Sequence, residues 1–181
     1  MKKINKSKYI IRKSKKNTLS EPVVAYGEKS FLVTLGGRSK RYSVDQGYGY
    51  FISSLKKAGN LEEVSGHLER GIPSKEIKPV VRYLDFKVPE IAKTASVSAS
   101  TVLRWQPDTS IGPSGSGQFY KIDEIIRKGV SLFGGEEQFK TWLKSPNLSL
   151  GNALPIELIT SLVGVDLVDE ALDALIYGNV M

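Results

Sequence analysis

Cysteine is absent from the 181 residues. That excludes disulfide staples and thiolate metal centres, and it fits a reducing compartment. A single histidine is present, His67. No further ligand or nucleophile stands at the spacing a metal site or a catalytic triad needs, so His67 reads as a structural or surface residue. No apolar run approaches the roughly 20 residues of a membrane helix. The basic N-terminus lacks the apolar core of a secretion signal. Gly112, Gly115 and Gly117 have neither a preceding parallel strand nor the Gly-Lys-Ser/Thr of a phosphate-binding loop. Residues 106–117 therefore read as a loop joining two helical modules. What remains is the expectation of a soluble, cytoplasmic, non-enzymatic binding protein with no cofactor, no metal, no membrane contact and no small-molecule substrate.

Charge is plentiful but lopsided. The net charge is +7, with eight basic residues and no acid in residues 1–16. Residues 123–181 hold nine acids against four bases. Such polarity predicts that one end meets a polyanion and the other a different partner. Residues 1–20 read as a basic flexible tail, or as an arm that follows DNA phosphates. Residues 21–60 read as a small N-terminal β/α element. Val23, Val24 and Tyr26 open it, Phe31-Leu32-Val33-Thr34-Leu35 continues it, and Gly36-Gly37 turns the chain into Arg41-Tyr42-Ser43-Val44. That pattern predicts a hairpin.

Apolar spacing then becomes helical, through Tyr50, Phe51 and Leu55 and again through Leu61, Val64 and Leu68. Ser74 is placed to cap a helix carrying Ile77, Val80, Val81 and Leu84, with Pro79 expected to kink it. In residues 88–106, Pro89 suits a helix start, Ile91 and Ala95 share a core face, and Ser96-Val97-Ser98 makes a turn. Ser98 can cap a second helix whose Val102 and Trp105 point inward. This holds one helix proud of the surface, with its N-terminal residues free to reach base edges. The DNA-binding candidates are Lys87 and Lys93 for the backbone, Ser98, Ala99, Ser100 and Thr101 at the helix start, and Arg104 for phosphate or guanine. The run Val97-Ser98-Ala99-Ser100-Thr101-Val102-Leu103-Arg104-Trp105 resembles the recognition helix of the Xre/Cro-type helix-turn-helix. Residues 61–121 are assigned to that DNA-binding domain. A helical hairpin used only for packing is the alternative.

Residues 122–181 form the last expected domain. Ile122, Ile125, Ile126, Val130 and Phe133 make a helical face stopped by Gly134-Gly135, and Phe139, Trp142 and Leu143 make a second. Pro155 starts a third helix, with Ile156, Leu158, Ile159 and Leu162, ended by Gly164. A final helix sets Val168, Leu172, Leu175 and Ile176 against Asp166, Asp169, Glu170 and Asp173. The order Phe133-Gly134, Trp142-Leu143, Pro146-Asn147, Leu150-Gly151, Pro155, Gly164, Tyr177-Gly178 resembles the toxin-binding domain of the Xre/MbcA/ParS antitoxins. It departs from the family pattern at Asn152, Ala153 and Phe139. The resemblance implies a cognate toxin, usually a NAD-depleting RES-domain protein, whose active-site entrance the antitoxin covers. The expected contacts are Asp169, Asp173, Ile176, Tyr177, Gly178, Asn179 and Val180, the acids facing a basic cleft.

The fold class expected is mainly α: an Xre-like helix-turn-helix, a small C-terminal helical toxin-binding domain and a short N-terminal β-hairpin. The function expected is that of a type II antitoxin that neutralises its toxin and represses its own operon as a homodimer on operator DNA. The rival is a stand-alone transcriptional regulator whose C-terminal helices only dimerise.

Overall fold

The computed structural model describes residues 47–177 in full and, before them, the backbone pairing of two strands. These are β1 (Lys29–Leu35) and β2 (Arg38–Val44), antiparallel, with Lys29 opposite Val44 and Leu35 opposite Arg38. Their side chains, the Gly36-Gly37 turn, the tail of residues 1–20 and residues 178–181 lie outside the described residues. The rest is mainly helical, in the order α1 (Ser53–Lys57), α2 (Leu61–Arg70), α3 (Ser74–Leu84), α4 (Val88–Ala95), α5 (Ala99–Leu103), α6 (Gly112–Phe133), α7 (Glu136–Leu143), α8 (Pro155–Leu158) and α9 (Leu162–Tyr177).

Helix α6 organises the packing. Its 22 residues make a rod of about 33 Å. Ile122, Ile125 and Ile126 are buried along it, at the spacing of one helical face. Gly134, at φ 80°, terminates it and donates its N–H to Val130 O at 3.0 Å. The start of α6 corrects the sequence reading, because residues 112–117 are helical rather than a flexible loop. Their small side chains serve packing. A Cβ on Gly115 would lie 3.1 Å from Ala95 Cα, so α4 and α6 cross closely only because position 115 has no side chain. Ser116 donates to Gly112 O at 2.6 Å and accepts the Ile72 N–H at 2.8 Å, which ties the first turn to the loop before α3. The helix also runs through position 121/122, so the two expected modules share one continuous element.

On one side of α6, a fully buried carboxylate anchors the chain that leads into α1. Asp123 accepts N–H groups from Tyr50 (2.7 Å), Phe51 (2.8 Å) and Ile52 (3.3 Å). Burial pushes its pKa above the ordinary value, and the three N–H bonds oppose that shift. Asn60 caps α2 by accepting the Glu63 N–H at 2.8 Å. Pro73, not Ser74, is the N-cap of α3. Ser74 is the first helical residue and donates instead to Gln106 O at 2.7 Å. Pro79 sits on the exposed side of α3, and the helix runs through it.

The C-terminal helices close the other side. Phe139, Leu143, Ile159, Val168 and Leu172 are fully buried and join Leu55, Val80, Phe119 and Ile126 in one contiguous core. The third C-terminal helix is shorter than expected. α8 ends at Leu158, Leu162 begins α9, and Gly164 lies inside α9 rather than at a stop. The reason is a close approach: a Cβ on Gly164 would sit 2.0 Å from Leu158 O. Ser161 accepts the Gly164 N–H at 3.1 Å and so supports the first turn of α9. At the loop before α8, Asn152 adopts φ 63°, a left-handed conformation that asparagine tolerates better than most residues.

Candidate functional site

Two surfaces carry the residues singled out from sequence. The first is built on α4 and α5. Glu90 accepts the Lys87 N–H at 2.9 Å at the start of α4, and Pro89 stands one residue inside the helix rather than at its first position. Ala92, Thr94 and Ala95 are buried, and Ile91 packs on the core. Ser96 takes the left-handed conformation, φ 57°, that turns the chain. Val97 then donates its N–H to Ala92 O at 2.9 Å. Ser98 caps α5, accepting the Thr101 N–H at 3.2 Å. Its hydroxyl also meets those of Ser100 (2.8 Å) and Thr101 (2.9 Å). Trp105 is half-buried against the core.

This geometry leaves Lys87, Lys93, Ser98, Ala99, Ser100 and Arg104 exposed and Thr101 half-buried. They lie on α4, on α5 and on the residues that flank these two helices. α5 is short, five residues. Arg104 lies back along it, its Nε donating to Ser100 O at 3.1 Å. Among the described residues no group of three metal-ligating side chains occurs.

The second surface belongs to α9, where three of the four acids are paired. Lys128 of α6 bridges Asp169 at 2.6 Å and Asp173 at 2.8 Å, and Lys121 of α6 pairs with Asp166 at 2.7 Å. Partial burial acts to lower the Lys128 ammonium, but the two carboxylates outweigh it and hold its pKa above the ordinary value. The acidic stripe of α9 thus faces α6. The side turned to solvent exposes Val163 (72%) and Leu167 (41%) beside Glu170. Leu175, Ile176 and Tyr177 extend that exposure along the last turn. Among the described residues no helix is long and apolar enough to cross a membrane.

Of the residues expected to meet a toxin, Asp169 and Asp173 are thus engaged within the chain, while Ile176 and Tyr177 are exposed. Gly178, Asn179 and Val180 lie outside the described residues. Sequence reasoning missed Val163 and Leu167. Their signal was present as two apolar residues four apart, but Leu162 had been assigned to the preceding helix, which hid the start of α9.

Residues 128–178 match the model of the antitoxin Xre/MbcA/ParS C-terminal toxin-binding domain. That span takes in the last six residues of α6 and all of α7, α8 and α9. No curated protein matches the chain.

Proposed function

We propose, from a chain whose residues 128–178 form an Xre/MbcA/ParS-type toxin-binding domain, that the protein is the antitoxin of a toxin–antitoxin pair. Its cognate toxin is of the NAD-depleting RES type, and the antitoxin acts by covering the active-site entrance. The match over residues 128–178 carries this reading. The apolar outward side of α9 supports it, because an exposed apolar strip on an otherwise charged protein is the usual mark of a partner surface. Asp169 and Asp173 stay paired with Lys128, so docking is led by apolar contact along Val163, Leu167, Ile176 and Tyr177, with Gly178, Asn179 and Val180 as further contacts.

The helix-turn-helix gives the second role. α5 enters the major groove with Ser98, Ala99, Ser100 and Thr101 toward base edges, while Lys87, Lys93 and Arg104 hold phosphates. A homodimer places two such helices about one DNA turn apart on an inverted repeat, and binding there represses the operon. What supports this is the Ser98 cap and the exposure of these residues.

Co-expression of the full chain with the neighbouring gene product tests the first role. Growth is restored and the two proteins co-purify. Continued toxicity without a complex overturns the reading. A reporter driven by the chain's own promoter tests the second. Its output falls when the chain is present and recovers with the Arg104→Ala and Ser100→Ala changes combined.

A further inference from the structure

A basic groove beside the helix-turn-helix is not used by either role as stated. It has a volume of 350 Å³ and is lined by Lys78, Val81, Arg82, Asp85, Phe86 and Lys87. Lys78 and Arg82 stand four apart on the outward face of α3, and both are exposed, as is Lys87. Asp85 is the groove's acid, and two lysines already hold it: Lys140 of α7 at 2.9 Å and Lys144, just after α7, at 2.8 Å. Glu90, the nearest acid of α4, accepts the backbone N–H of Lys87. Lys78, Arg82 and Lys87 therefore form no ion pair among the described residues. The local field is positive.

The position of α3 says what such a field would meet. At its start, Ser74 and Lys75 donate their N–H groups to Thr109 O (2.8 Å) and Pro107 O (2.9 Å), in the loop that leaves α5. At its end, the chain passes through Asp85 and Phe86 to Lys87, the N-cap of α4. The exposed face of α3 is thus bounded at both ends by the helix-turn-helix, and its cations share the groove with Lys87.

We propose that this groove is a second contact for the DNA phosphate backbone, made by Lys78 and Arg82 on the duplex flanking the bases that α5 faces. The inference rests on the DNA-binding role above. It makes α3 part of the DNA surface and gives the charge of Asp85 a controlling place in it. Neutralising each phosphate contact removes about 0.9 from the log–log salt slope.

The test measures binding of the full-length chain to a duplex carrying its own promoter, by fluorescence anisotropy over a range of salt. Lys78→Gln combined with Arg82→Gln lowers the slope by about 1.8, while Lys57→Gln, outside the groove, leaves it unchanged. Asp85→Asn removes the groove's negative charge and tightens binding. A wild-type chain that binds no duplex overturns the DNA-binding role and this contact with it. A wild-type chain that binds, with an unchanged slope in the double variant, overturns this contact alone. Loss of toxin co-purification in the double variant, with the DNA slope intact, assigns the groove to an acidic protein surface and likewise overturns it.

Discussion

Gly129 of α6 and Phe139 of α7 occupy each other's space: a Cβ on Gly129 would lie 2.2 Å from Phe139 Cε2. Phe139 is fully buried in a three-ring cluster with Phe133 (5.9 Å) and Trp142 (5.7 Å), which are 5.6 Å from each other, so it has nowhere to yield. Gly129→Ala gains up to about 1 kcal/mol of helix propensity but forces overpacking that costs roughly 1–3 kcal/mol. The net expectation is a loss of stability in urea unfolding. Phe139→Leu relieves the clash and is less damaging in the Gly129→Ala background than in the wild type. A double-mutant cycle without coupling would refute the fit between the two residues.

Two other glycines of α6 should respond with opposite signs. Gly115 faces Ala95 at 3.1 Å, whereas a Cβ on Gly117 meets nothing within 4 Å. Gly117→Ala therefore stabilises by about 0.5–1 kcal/mol, through helix propensity and a less flexible unfolded chain. Gly115→Ala pushes α4 away. It lowers the melting temperature and weakens promoter binding together, since α4 carries the turn that aims α5. Equal melting temperatures for the two variants would contradict this assignment.

Asp123 lends itself to a graded test. Asp123→Ala leaves the N–H groups of Tyr50, Phe51 and Ile52 without their acceptor, a loss of about 1–3 kcal/mol for the buried donors. Asp123→Asn keeps one carbonyl oxygen and recovers part of it. Hydrogen exchange at residues 50–52 should quicken in the order wild type, Asn, Ala. Protection that does not follow this order would show that another group holds the segment.

Asp85 contributes a pH dependence of known sign. Lys144 first and Lys140 second hold its carboxyl down at about 2, against an ordinary value of 3.8. A depressed folded-state pKa means the contribution is fully present above the ordinary value and is lost as pH falls toward 2. Asp85 sits at φ 59°, which asparagine also tolerates, so Asp85→Asn isolates the charge. Melting temperatures of wild type and variant should differ above pH 3.8 and converge toward pH 2. Curves that stay parallel would remove the ion pairs from the account.

Some of this was legible in the sequence for local reasons. The Ser98 cap, the Gly134 stop and the apolar face at 122, 125 and 126 are short-range patterns, and a periodicity argument reaches them. Residues 112–117 were not legible in that way. Glycine, serine and proline together spell a loop unless one knows that Ala95 lies opposite. Gly164 misled for the same reason, since its cause is the Leu158 carbonyl across a tight corner. The acids of α9 were placed on the correct stripe. Their partners, Lys121 and Lys128, stand 45 and 41 residues away, and the pattern within one helix says nothing about what faces it. Sequence therefore located the toxin-binding module, while the pairing of Asp169 and Asp173 with Lys128 lay beyond its reach.

That pairing yields the sharpest contrast between variants. Val163 and Leu167 are exposed, so Val163→Asp and Leu167→Asp should change stability by no more than about 0.5 kcal/mol. On an apolar-led interface, the same changes bury an unpaired charge and abolish toxin co-purification. Asp169→Asn removes a carboxylate already paired with Lys128 within the chain, so the complex should survive it. Pull-down of the toxin by each variant, alongside its melting temperature, separates the cases. If Asp169→Asn loses the toxin while Val163→Asp keeps it, the partner must displace Lys128 from the acids. Docking would then be led by charge, and the apolar side of α9 would have no part in it.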